Sequence, residues 1–188
     1  MDKKEGEAMQ FEQLNEQSYK ATLERWTWEA DANDVFPHEV ERKLRWVGEL
    51  LSNGKGDPNY RSLAYGVFTV GSDVPAAVCE LVISRKTMNE RWLKLLSVIL
   101  SPEVEAKVEA GDVEAIQTAV MAYRTAVSGA FDAQLEHNAD TLKLYGRNEA
   151  MLKLLTTLLA TLQSSGSDFD AKKEGRWLVL RSISTTTT

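Results

Sequence analysis

Residues 141–162 read TLKLYGRNEAMLKLLTTLLATL. The short apolar run Leu142–Tyr145 passes through Gly146 and Arg147 into Asn148, and a strongly apolar segment follows. Asn is a favoured N-cap because its side-chain oxygen accepts a backbone N–H of the first helical turn. The stretch therefore reads as a strand feeding a helix through a two- or three-residue turn, a unit of α/β architecture. Such a turn presents backbone N–H groups and a helix N-terminus at the carboxyl end of a strand, where α/β proteins bind ligands. Function then depends on whether other segments complete a ligand site.

On the amino-terminal side, Met9–Gln13 alternates as a first strand. Asn15 caps a helix through about Glu29, with Tyr19, Leu23 and Trp26 at helical spacing. Pro37 suits the first turn of a second helix, whose Val40, Leu44, Val47 and Leu51 share one face up to Asn53-Gly54. After the turn-rich Lys55–Asn59, two β-runs (Ser62–Val70 and Val74–Ser84) flank Gly71-Ser72-Asp73 and predict an antiparallel hairpin. Beyond the polar turn Lys86–Arg91, Trp92–Leu100 is nearly continuously apolar, as a central strand covered on both faces would be, and Pro102 ends it.

Residues 102–111 are polar and have no assigned element. Asp112 caps a long helix with Val113, Ile116, Val120, Tyr123, Val127 and Phe131 on one stripe. Beyond the opening feature come a loop at Ser164–Ser167, a short strand near Phe169–Ala171, a turn at Lys172–Gly175 and a final strand Arg176–Ile183. The expected order is β-α-α-β-β-β-α-β-α-β-β. It implies a mixed, mostly antiparallel α/β sheet with a central parallel pair, since a helical crossover joins parallel neighbours. Residues 1–8 are expected to fray, 9–184 to form a single domain and 185–188 a polar tail; either Met1 or Met9 fits as the functional start.

The chain has 188 residues, 43% hydrophobic and 27% charged, with a net charge of −6. An acidic balance argues against general nucleic-acid binding. A single cysteine, Cys79, excludes an internal disulfide framework, and its apolar strand context reads as a buried structural thiol. No apolar run has the length of a membrane span and no signal-peptide pattern opens the chain, so a cytoplasmic protein is the expectation. His38 and His137 lack neighbours at metal-ligand spacing, and no Gly-x-Ser-x-Gly elbow supports a serine nucleophile.

Three stretches carry a family resemblance. They are the hairpin AYGVFTVGSDVPAAVCELVI, the run WLKLLSVILSP and the opening LKLYGRNEAMLKLL. In this order they resemble the second to fifth strands and the fourth helix of the GNAT superfamily of N-acetyltransferases, in which an Asn commonly caps that helix; Asn148 matches it. The resemblance covers about Met9 to Ile183 and implies acetyl-CoA as cofactor if the chain is active. In the family a loop patterned Arg/Gln-x-x-Gly-x-Gly/Ala binds the coenzyme A pyrophosphate. Here the segment is SPEVEAKVEAGDVEAIQ, with one glycine, Gly111, and the acids Glu103, Glu105, Glu109, Asp112 and Glu114. Carboxylates at a helix N-terminus satisfy the dipole and repel a pyrophosphate. Many relatives also place a proton-donating Tyr seven positions after the Asn, where this chain has Leu155.

Two functions remain open. One is an acetyltransferase-like protein with an eroded coenzyme A site and no cofactor, acting by binding another protein; small tailed-phage proteins of virion assembly or host-factor binding are a setting that this eroded pattern resembles. The other is a divergent acyl-CoA-dependent N-acetyltransferase. For it the resemblance implies backbone groups around Leu96, Ser97 and Val98 at the thioester, Tyr145 or Tyr123 as acid and Glu80 as base. Tyr145, Arg147 and Asn148 either contact an anionic donor together or separately pack, face solvent and cap. Trp26 and Trp28 cannot share a helical face, so either one is an exposed protein-contact anchor, or the helix is packed on both sides by core, or it ends before Trp28.

Overall fold

The structure, a computed structural model, describes residues 8–33, 38–53, 60–87, 90–164 and 169–182. The chain forms β1 (Met9–Gln13), α1 (Glu16–Asn33), α2 (His38–Asn53), β2 (Tyr60–Thr69), β3 (Pro75–Thr87) and β4 (Glu90–Leu100). These are followed by α3 (Pro102–Glu109), α4 (Val113–Glu136), β5 (Thr141–Tyr145), α5 (Glu149–Ser164), β6 (Phe169–Glu174) and β7 (Trp177–Ser182). The strands form one mixed sheet in the order β1-β2-β3-β4-β5-β7-β6. The pair β4–β5 is parallel, and β1–β2, β5–β7 and β6–β7 are antiparallel. The central parallel pair inferred from a helical crossover is therefore present.

The chain divides into two compact units, and β2, β3, β4 and α4 each contribute residues to both. The first comprises Met1–Gly56, Leu63–Glu80 and Val98–Ala126. Its core gathers Leu14, Trp26, Val40, Leu44, Val47, Ala64, Phe68, Val78 and Ile99. The α2 face forms as its spacing predicts. In α1 the buried residues are Thr22, Trp26 and Glu29, while Leu23, at helical spacing from Trp26, is exposed. The packed face runs instead through the polar residues Thr22 and Glu29, which hydropathy alone does not select. Helix α1 continues past Trp28, so Trp26 is fully buried and Trp28 is 58% exposed, its ring 4.7 Å from the Arg25 guanidinium carbon.

The second unit comprises Asp57–Ser62, Leu81–Ser97 and Val127–Thr188. Its buried leucines alternate along the strands: Leu93 and Leu95 on β4, Leu142 and Leu144 on β5, Leu178 and Leu180 on β7. At its turns the strands run longer than the sequence suggests. β3 reaches Thr87 and β4 begins at Glu90, and β6 extends to Glu174 with Gly175 at φ +62° in the turn to β7.

Two expectations need correction, and one segment left without an element gains one. Residues 102–109 are helical, because Ser101 caps and Pro102 occupies the first helical position, where a missing N–H costs nothing. Helix α4 packs through Ala115, Ala119, Ala122, Ala126, Ala130 and Ala133, with Tyr123 and Val127; Val113, Ile116 and Val120 are exposed. Small residues at helical spacing permit a close backbone approach that bulkier side chains would prevent. Strand β4 is buried without a break only over Ser97–Leu100, and before that its burial alternates. Pro37, Gly54 to Asn59, Ser165 to Ser167 and Ile183 lie outside the described residues.

Candidate functional site

The strand–turn–helix begins where β4 and β5 stop pairing. Their register runs from Trp92↔Thr141 to Leu95↔Leu144 and ends one residue short of Leu96 and Tyr145. Gly146 N donates to the Arg176 carbonyl at 2.8 Å, and Arg147 N donates to the Tyr145 carbonyl at 3.0 Å. The Arg176 guanidinium closes the turn by donating to the Gly146 carbonyl at 2.6 Å and the Arg147 carbonyl at 3.0 Å. Gly146 allows a close approach here, since a Cβ would fall 3.2 Å from the Leu152 Cα.

Asn148 does what its position implies: its Oδ1 accepts from Met151 N at 2.8 Å and its carbonyl from Leu152 N at 2.9 Å. The Tyr145 ring packs on Trp177 with centroids 4.8 Å apart. Arg147 is half-buried. Leu155 is buried and lines a small apolar hollow with Leu152, Leu159, Trp177 and Leu178. Of the backbone candidates, Leu96 is half-buried, while Ser97 and Val98 are buried.

In the first unit, the backbone donors of the segment after β4 are taken up partly within the segment and partly by α1. Ser101 Oγ accepts from Val104 N at 3.3 Å, and the Ser101 carbonyl accepts from Glu105 N at 2.9 Å. A carboxylate from α1 supplies the next acceptor: Glu29 Oε2 takes Glu103 N at 3.2 Å. Glu29 is 4% exposed and also accepts from Arg25 Nε at 2.7 Å. Arg25 in turn reaches Glu103 at 3.0 Å. At the far end of α3, Ala110, Gly111 and Asp112 donate to the Ala106, Val108 and Lys107 carbonyls, with Gly111 at φ +79°. Asp112 Oδ1 then accepts from Ala115 N at 2.8 Å, capping α4 as its position suggests.

A buried carboxylate thus occupies the N-terminus of α3, the place where a helix favours an anion. Sequence reading did not single out Glu29. The available signal was an acid three residues after Trp26, on the face that Trp26 shares. The electrostatics around it are mixed. Lys107, hydrogen-bonded to Glu103 at 2.6 Å, holds that carboxyl below the usual range, and Arg25 adds to the effect. Burial, helped by Glu109, pushes Glu105 up.

A raised folded-state pKa means that the contribution of Glu105 is fully present below its ordinary carboxyl range and is lost as pH rises through the raised value. Ionised Glu105 is therefore a net cost at pH 7. Glu105→Gln is expected to raise stability at pH 7 by only about 0.5 kcal/mol, since solvent screens a half-exposed charge. Thermal unfolding at pH 7 and pH 3 checks this: the gain vanishes at pH 3, and an equal gain at both values would contradict the assignment.

Glu80, the candidate base, is ion-paired with Lys43 at 2.5 Å, and Lys43 is buried with its ammonium 4.5 Å from the Trp46 ring centroid. Tyr123, the alternative acid, is buried on α4. Cys79 is fully buried, and burial pushes its thiol up, the opposite of a reactive thiolate. Among the described residues no group of His, Cys, Asp and Glu is placed to hold a metal ion, and no helix is long and apolar enough to cross a membrane. A shallow groove between α1 and α2 is lined by Glu16, Tyr19, Lys20, Arg45 and Glu49, and a Cβ on Gly48 would strike the Tyr19 ring.

The order and pairing of the elements are those of a mixed seven-stranded sheet with a central parallel pair, as the element order implied. No protein-family model matches the chain, and no curated protein does. Solved structures that align with it include an acetyltransferase from Thermus thermophilus, at 16% identity and TM-score 0.43, covering 92% of this chain and 96% of that one. A putative acetyltransferase of the GNAT family from Desulfovibrio desulfuricans aligns at 13% identity and TM-score 0.45, with coverage of 92% and 96%. The NatC complex bound to Gag peptide and CoA aligns at 14% identity and TM-score 0.38, covering 92% and 95%.

Proposed function

We propose that this chain is an acetyltransferase-like protein whose coenzyme A site is eroded and which acts by binding another protein. The observation that carries the reading is the Glu29 carboxylate that accepts from Glu103 N at the N-terminus of α3, together with the internal acceptors of Val104, Glu105, Ala110, Gly111 and Asp112. A pyrophosphate entering this segment would have to displace those acceptors and approach Glu29, Glu103 and Asp112, with repulsion that low local dielectric strengthens. Leu155, buried where relatives place a Tyr, supplies no proton. Protein binding draws support from Trp28, a large exposed aromatic beside Arg25, since both residue types are enriched at interface anchors. The tailed-phage setting rests on the shared shape of this segment alone.

A specific observation favours the alternative, a divergent acyl-CoA-dependent N-acetyltransferase: the β4–β5 register ends just before Leu96 and Tyr145. Parallel strands that part at their carboxyl ends open backbone groups to a ligand. In that reading Leu96, Ser97 and Val98 contact the acyl group, Arg147 and Asn148 the donor, and Tyr145 or Tyr123 protonates the thiolate with Glu80 as base.

Titration calorimetry with acetyl-CoA and desulfo-CoA separates the two. The first reading expects no detectable binding up to about 1 mM of either ligand. Micromolar binding to the wild-type chain would overturn it and favour the enzyme.

A further inference from the structure

The parallel pair carries two lysines that neither reading uses. Lys94 on β4 and Lys143 on β5 are register partners, so two ammonium side chains leave adjacent strands at the same level and on the same face. Like charges directly opposite one another destabilise a sheet. Trp92 lies two residues before Lys94 on that face, because side chains alternate along a strand. Its ring centroid is 3.7 Å from the Lys143 ammonium and 5.2 Å from that of Lys94. All three side chains are half-buried.

The indole face offsets part of this cost but carries no net charge. The nearby carboxylates are hydrogen-bonded or ion-paired to other groups, although the charge of Lys143 also helps hold the Glu174 carboxyl down. Glu90 accepts from Trp92 Nε1 at 2.9 Å and lies 3.9 Å from Arg181, and Glu174 pairs with Lys172 at 2.7 Å. Among the described residues, neither the Lys94 nor the Lys143 ammonium makes a hydrogen bond or an ion pair. Burial, and then Lys143, lower the hold of Lys94 on its proton, as a missing counter-anion would.

We propose that Lys94, Lys143 and the Trp92 ring form a binding site for a dianionic phosphate group, either inorganic phosphate or the monoester of a small molecule. Two ammoniums match a charge of two, which a single carboxylate would leave half-balanced. An ammonium acts as a point charge on phosphate and needs no bidentate geometry. The indole edge and the adjacent half-buried Leu96 offer apolar contact to an ester substituent. The lysine pair lies one register pair before the point where β4 and β5 stop pairing, and neither reading of the function assigns these two ammoniums a role.

The test is calorimetry and thermal unfolding of the full chain with inorganic phosphate and with phenyl phosphate, at ionic strength held constant with chloride. The expected result is one saturable site with a Kd of about 1 mM or tighter. It should raise the unfolding temperature above that in chloride. Tighter binding of phenyl phosphate assigns a monoester, and equal affinity assigns inorganic phosphate. Lys143→Gln and Lys94→Gln should each weaken binding by about tenfold or more, the loss of one charge-assisted contact. Lys107→Gln, on α3, should leave it unchanged. Circular dichroism establishes that each variant is folded. Absence of saturable binding to folded wild-type chain at about 20 mM of either ligand, or unchanged binding in both folded Lys94 and Lys143 variants, overturns the proposal.

Discussion

Glu80→Ala is expected to destabilise the protein by about 3–5 kcal/mol, the range for breaking one partner out of a buried ion pair. Lys43 is 6% exposed, and its ammonium faces the Glu80 carboxylate and the Trp46 ring, next to the fully buried Cys79. Removing the carboxylate takes away the ion-pair partner of a desolvated ammonium, and the attraction of that ammonium to an indole is worth only about 0.5–2 kcal/mol. Replacing both partners by apolar residues of similar volume removes the charge and its desolvation together. Lys43→Met with Glu80→Leu is therefore expected to recover most of the loss, to within about 1–2 kcal/mol of wild type. Denaturant unfolding of the two singles and the double measures the coupling. A single Glu80→Ala loss below about 1 kcal/mol would show that the pair does not hold β3 to α2, and would leave Glu80 available for the base role.

Trp26→Ala is expected to cost about 3–5 kcal/mol by removing a fully buried indole. Trp26 is 0% exposed within the core of Leu14, Val40, Leu44, Val47, Phe68 and Val78, and its Nε1 donates to the Pro75 carbonyl at 3.2 Å. Truncation opens a cavity and leaves that carbonyl without this donor, whose loss adds about 1 kcal/mol. Trp28→Ala supplies the contrast two residues away. Its ring is more than half exposed, so its loss should stay within about 0.5 kcal/mol in the free protein. Urea unfolding reads both, and comparable losses at the two positions would mean that α1 packs on both sides.

Much of this fold was legible because periodicity reports which face a residue occupies. The α2 face, the first strand and the alternation around Leu142 and Leu144 follow from spacing alone. Asn148 and Asp112 were legible for a different reason, since capping is a local contact between a side chain and a backbone two or three residues away. Helix α3 was missed because its acids mask any stripe, yet Ser101-Pro102 holds the two start signals that form it. The alanine face of α4 was missed because hydropathy weighs Val113, Ile116 and Val120 above alanine. Close approach of helix backbone favours the smaller residue, and only packing reveals that preference.

Of the candidate site residues, the Asn148 cap was legible because it is a local contact, while the packing of Tyr145 on Trp177 joins positions far apart in the chain. The ion pairing of Glu80 was not foreseen, because Lys43 is 37 residues away and on another element. Glu29 shows the same limit, since it reaches the N-terminus of Glu103 from 74 residues earlier. Long-range polar partners leave no periodic trace.

By itself the sequence determined that Thr141–Leu162 is a strand turning into an Asn-capped helix, and that the segment after β4 lacks the glycines of a phosphate loop. Both are statements about neighbours along the chain, where backbone geometry and side-chain chemistry act directly. Only the tertiary structure decided what lies at the helix N-terminus after β4, and which side chains flank Trp92. Those outcomes depend on elements distant in sequence meeting in space, where one buried carboxylate and two opposed ammoniums take the places that packing leaves to them.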